Sequence, residues 1–159
     1  MILHNFNPQR RAAPARPGFN DPQAAHPDSV LSIRAQAWTN NVLQSLVASE
    51  GLTFWGEAVN MILAFAFENP ELFPFDRATF TDGDDLFSLG GARGERNERA
   101  AANLRKSRGI LVAMDPPVMD QLNRVARKYK VANWRAASVI VHIHGRAIVA
   151  TIQATRRGE

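Results

Sequence analysis

Cysteine is absent from all 159 residues. That excludes disulfides, thiolate catalysis and cysteine-ligated zinc. Long apolar runs are absent as well: the longest, Met61 to Phe67, falls far short of the ~20 apolar residues that a membrane-spanning helix requires. The first residues lack the apolar stretch of a secretory signal, so a cytoplasmic protein without membrane association is expected. Histidine is scarce, with His4, His26, His142 and His144 alone. On a helix His142 and His144 diverge, and only on a strand would they share a face fit for a metal pair. No glycine-rich phosphate loop follows a strand pattern, because Gly90-Gly91-Ala92-Arg93-Gly94 lacks the lysine and the helix start such a loop needs. Asp82, Gly83, Asp84 and Asp85 look like a fragment of a calcium loop, without its twelve-residue ligand spacing and terminal glutamate. Asp115 and Asp120 suit helix capping and surface charge better than acid–base work. The expectation is a protein that is not an enzyme and carries no cofactor and no metal.

Negative charge is thin in the second half, and positive charge is thin in the first. Ser29 to Phe67 carries one base, Arg34, against Glu50 and Glu57, whereas Ser107 to Glu159 carries nine bases against Asp115, Asp120 and Glu159. The net charge is +4. A basic half attracts polyanions such as nucleic acid, and the same charge also serves solubility.

What the chain has is a repeat. Residues 30–64 and 109–143 match at a spacing of 79: Leu43 falls on Leu122, Trp55 on Trp134 and Ala58 on Ala137. Conservative matches keep the register, among them Leu31 with Ile110, Ile33 with Val112, Leu46 with Val125, Leu52 with Val131 and Ile62 with Val141. Such self-similarity in one chain suggests that it carries both halves of a unit otherwise built as a symmetric dimer.

Each copy reads as strand, helix, helix. Leu31, Ile33 and Ala35 alternate with Ser32 and Arg34, a period of two that predicts a short strand over 29–35. Trp38, Val42, Leu43, Leu46 and Val47 then recur at helical spacing up to Gly51, a helix-stop residue. Thr53 is a suitable N-cap for a second helix through Trp55, Ala58, Val59, Ile62, Leu63 and Phe65, which must end before Pro70. In the second copy Ile110, Val112 and Met114 alternate, and Asp115-Pro116 marks a helix start. Met119, Leu122, Val125, Ala126 and Tyr129 form its buried stripe, and Asn133 is placed to cap the last helix. Residues 138–152 are rich in β-branched side chains, and His144-Gly145 could turn a hairpin. The repeat favours helix there, because its counterpart from Ala58 to Phe67 is helical in pattern.

Residues 1–28 hold five prolines and Arg10, Arg11 and Arg16 without apolar periodicity, which predicts a flexible, mildly basic tail. A single domain is expected over 29–155, made of repeat 1 (29–68), a connector (69–106) and repeat 2 (107–155). Phe73, Phe75, Phe80 and Phe87 stud the connector, so part of it should pack against the domain.

The strand–helix–helix order at these lengths resembles the ribbon-helix-helix family of DNA-binding proteins, the Arc and MetJ type. Two copies in one chain resemble the tandem members that serve as accessory proteins in conjugative and T-DNA transfer relaxosomes. The resemblance implies a mainly α fold with a short two-stranded antiparallel ribbon, folded as a monomeric pseudo-dimer. It implies that the ribbon enters the DNA major groove and that the second helices aim backbone N–H groups at phosphate. Carried onto this chain, the groove-facing positions are Val30, Ser32 and Arg34, then Gly109, Leu111 and Ala113. Ser32 and Arg34 can make conventional base contacts, while Leu111 offers an apolar one. Thr53 and Asn133 stand at the helix starts, and Lys106, Arg108, Lys130 and Arg135 supply the surrounding positive charge. The implied partners are double-stranded DNA and a relaxase or other DNA-processing protein. Two alternatives are a transcriptional repressor or antitoxin-like regulator, and a protein-interaction module that has lost DNA binding.

Overall fold

Two six-residue strands, β1 (Val30–Ala35) and β2 (Arg108–Ala113), pair antiparallel into one ribbon in the computed structural model. The model describes residues 21–22, 29–74, 76, 80 and 108–158. The rest of the expected tail, and most of the connector with its aspartate cluster and Lys106, lie outside those residues. Alternation does what a half-buried strand requires: Leu31, Ile33, Ala35, Ile110 and Val112 are buried, whereas Ser32, Gly109 and Leu111 are exposed. The register pairs Ser32 with Leu111 and Arg34 with Gly109.

After β1 come α1 (Ala37–Glu50) and α2 (Trp55–Glu68), and after β2 come α3 (Pro116–Tyr129) and α4 (Asn133–Arg156). Described residues thus contain four helices and a two-stranded antiparallel sheet, a mainly helical fold. The first helix of each half ends the same way. Gly51 and Lys130 adopt the left-handed conformation, and the following residue returns its N–H to the helix, Leu52 to Val47 O and Val131 to Ala126 O, each at 3.0 Å. Those pairs keep the spacing of 79 that the side chains showed.

Packing crosses between the halves. β1 rests on α4 and β2 on α2, with α2 and α4 against each other and α1 and α3 flanking them. Two polar residues fasten these crossings. The Arg34 N–H donates to Ser138 Oγ at 2.9 Å. Asn60, 3% exposed, donates from Nδ2 to Gly56 O and Ala113 O and accepts the Asp115 N–H at Oδ1, at 3.0, 2.9 and 2.9 Å. One turn before it, Gly56 lets α2 approach closely: a Cβ there would lie 3.2 Å from Val112 Cα.

Residues 138–152 are helical throughout, so the hairpin alternative is excluded. Ala137, Ile140, Val141, Ile148 and Ile152 recur at helical spacing and are all buried, and that burial outweighs β-propensity. Two expected caps are corrected. The N-cap of α2 is Phe54 rather than Thr53, and the N-cap of α4 is Ala132 rather than Asn133, which is the first helical residue. Asp115 does stand at the N-cap of α3, before Pro116.

The start of the connector docks as its phenylalanines suggested. Phe73 is buried edge-on to Phe65, with centroids 5.5 Å apart, and Phe80 is buried on Tyr129 at 5.1 Å. Phe75 and Phe87 lie outside the described residues. His144 completes this contact, meeting Phe73 edge-on at 5.6 Å and bonding the Pro74 carbonyl through Nε2 at 2.9 Å. Burial pushes the His144 pKa below its ordinary 6.5, opposed in part by the Pro74 bond. A histidine with a depressed pKa is held neutral by the fold, so the unfolded chain binds the extra proton. Its contribution to stability is complete above the unfolded value and falls as pH drops through 6.5 towards the folded value. Thermal melts should therefore decline as pH falls below the ordinary histidine value of 6.5, and His144→Gln should flatten that decline. An unchanged pH profile in the variant would remove His144 from the acid response.

No helix among the described residues is long and apolar enough to cross a membrane. No cluster of potential metal ligands occurs among them.

Candidate nucleic-acid interface

The solvent-facing surface of the ribbon is small and mixed. Ser32 and Gly109 are exposed, Leu111 is 57% exposed, and Val30 and Arg34 are half-buried. Ala113, expected on this face, is instead 1% exposed, because α2 binds its carbonyl through Asn60 and packs over the end of β2. The ribbon face therefore ends at Leu111, two residues earlier on β2 than alternation alone predicts. Arg34 extends across to the opposite strand: a Cβ on Gly109 would come within 3.0 Å of its Nη1. Arg108 is exposed at the end of the ribbon and lies 6.0 Å from the Trp55 ring, a cation–π contact that joins β2 to the start of α2.

The two second-helix starts differ in electrostatics. At α2 the Glu57 carboxylate accepts the N–H groups of Thr53 at 3.0 Å and Phe54 at 3.4 Å. It therefore occupies donors that an incoming anion would use, and adds negative charge to the turn. Thr53 itself is exposed. At α4 the first turn holds no acid. Asn133 there donates from Nδ2 to Asn123 Oδ1 at 3.2 Å, tying α4 to α3, and Arg135 is half-buried two residues on. The four N-terminal amides of a helix lack intrahelical acceptors and carry partial positive charge, so the α4 start remains the electropositive one.

Lys130 precedes that start. It is exposed and is the one non-glycine residue with positive φ among the described residues, at φ 56. Glycine holds the matching position in the first half, Gly51 at φ 63. A side chain in this conformation costs ~1 kcal/mol, so the cation is kept at some expense. Arg124, Arg127 and Lys128 extend the positive surface along α3.

Of the nine residues expected to contact DNA, Ser32, Arg34, Arg108 and Leu111 are on the ribbon or its end. Thr53, Lys130, Asn133 and Arg135 are at the second-helix starts, and Lys106 lies outside the described residues. Sequence reasoning passed over Glu57, although a glutamate three residues after an N-cap is the spacing of a reciprocal cap. It also passed over Asn60, a lone polar residue in the apolar run of α2. Comparison of the chain with protein-family models, curated proteins and solved structures finds no match.

Proposed function

We propose that this chain is a DNA-binding protein of ribbon-helix-helix type, in which the two halves form an intramolecular pseudo-dimer. The observation that carries this reading is the ribbon register. Ser32 sits opposite Leu111, the position 79 residues later, at the centre of an exposed face. A twofold axis through a ribbon requires equivalent positions to meet at its centre. The exchange of strands between halves supports the same reading, since β1 packs on α4 and β2 on α2. The biological role that accompanies it is an accessory factor in plasmid conjugation or DNA transfer, acting beside a relaxase or another DNA-processing protein. That role rests on the resemblance of the tandem arrangement. The exposed Leu111 favours one alternative, a protein-interaction module built on the same ribbon.

Binding should be electrostatic and uneven between the halves. With about three phosphate contacts, from Arg108, Lys130 and Arg135, affinity for duplex DNA should fall ~40-fold between 50 and 200 mM salt. Gel-shift titration on random duplex at the two salt concentrations checks this. Absence of any retention at low salt would overturn the DNA reading in favour of the interaction module.

Two variants test the uneven charge. Lys130→Gly should raise stability by ~0.5–1 kcal/mol while lowering the salt slope by about one unit, separating fold from function. Glu57→Gln removes the acid at the α2 start and should tighten binding at low salt. Equal affinity in wild type and Glu57→Gln would mean that α2 does not approach the phosphates.

A further inference from the structure

We propose that Gly109 is a specificity-determining position, because its missing side chain leaves room for the Arg34 guanidinium and so fixes how that cation is offered to a guanine edge. The inference rests on the DNA-binding reading and goes beyond it to a particular base and a particular positioning residue.

The geometry is local. Arg34 and Gly109 are cross-strand partners on the exposed face of the ribbon. A Cβ at 109 would lie 3.0 Å from Arg34 Nη1 and 3.8 Å from Ser32 Oγ. The first distance is shorter than a carbon and a nitrogen tolerate without a shift, and the atom that would shift is the tip of a flexible side chain. A methyl group at 109 would therefore move the guanidinium tip by a few tenths of an ångström and leave the ribbon intact.

Backbone conformation gives a second reason to separate the two effects. Gly109 is not among the glycines with positive φ, which are Gly51 and Gly158. Alanine fits there without strain and narrows the unfolded ensemble, so stability should hold or rise. No described structural feature of Gly109 other than the space it leaves calls for glycine.

Arg34 is the one cation among the described outward-phase positions of the ribbon, since Val30, Ser32 and Leu111 are uncharged and Arg108, opposite Ala35, belongs to the other phase. An arginine fork reads guanine by two parallel hydrogen bonds to O6 and N7, which makes its orientation as important as its charge. Leu111, two residues along β2, supplies the apolar surface that suits a neighbouring thymine methyl. The ribbon thus recognises one short element at its Arg34 end rather than a full palindrome.

The test is selection from a randomised duplex pool with wild type, Gly109→Ala, Arg34→Lys and Arg34→Ala, alongside salt slopes and thermal melts. Wild type should enrich guanine at one position. Gly109→Ala and Arg34→Lys should each lose about tenfold of that enrichment. Gly109→Ala should keep the wild-type salt slope and melt no lower than wild type, which a purely structural glycine would not allow. Wild-type enrichment in Gly109→Ala overturns the inference, as does a wild-type protein that binds duplex with no base preference. In both cases the DNA-binding reading stands. No retention of wild type at low salt removes the two together.

Discussion

Asn60→Leu should lower the melting temperature by about 6–12 °C, the shift that ~3 kcal/mol produces in a domain of this size. Leucine keeps the branching and heavy-atom count of asparagine but is bulkier, so the lost hydrogen bonds are joined by some overpacking at this buried site. The Ala113 carbonyl and the Asp115 N–H each share a bond with Asn60, at 2.9 Å. A buried group left unpaired costs ~1–3 kcal/mol. The Gly56 carbonyl suffers less, because it remains within the α2 ladder. Gly56→Val should act in the same direction at the same seam, since the nearest obstruction to a side chain is the Val112 backbone, which yields less readily than a side chain. Differential scanning calorimetry on the variants checks the size. A melting temperature for Asn60→Leu within about 1 °C of wild type would show that water or a small shift re-pairs both groups.

Dividing the chain should abolish folding of the parts. Segments spanning 29–74 and 108–158, expressed separately, are expected to show no cooperative unfolding as monomers, and equimolar mixing should restore it. The reason is the exchange of strands. Ile33, fully buried, belongs to a strand that packs on α4 of the other half, and Val112, also fully buried, belongs to one that packs on α2. Each half alone would expose that surface, lose its ribbon partner and fall near the ~40–50 residues below which a single core is marginal. The undivided chain should be monomeric by light scattering, since β1 already finds its partner strand β2 within the same chain. Circular dichroism of the separate and mixed segments decides the matter. A monomeric half that melts cooperatively alone would contradict the interlocked architecture.

Secondary structure was largely legible in the residues because its signals are local. Leu31, Ile33 and Ala35 alternate, and Gly51 and Pro70 punctuate the helices. Leu122 and Ala126 repeat at helical spacing. Each of these depends on neighbours two to four residues away. Positions near element ends were harder. Thr53 and Asn133 are good capping residues by type, yet Phe54 and Ala132 hold the caps, and the Thr53 N–H is taken by Glu57. Competing local donors and acceptors decide such ends by small energies. Ala113 matched the outward phase of its strand and is nevertheless covered, because α2 docks there.

The residues themselves dictated the order strand, helix, helix on either side of the connector, most of the inward faces and the concentration of positive charge after Ser107. They also excluded cysteine chemistry. Tertiary structure alone decided that each strand rests on the other half's second helix, that Asn60 locks α2 to β2, that Glu57 blunts one helix start and that Arg34 lies over Gly109. The physical reason is distance along the chain. Periodicity and turn chemistry act between near neighbours, whereas these four depend on side-chain geometry, and three of them join groups some 50 to 110 positions apart that nothing but the folded packing brings within hydrogen-bonding or van der Waals reach.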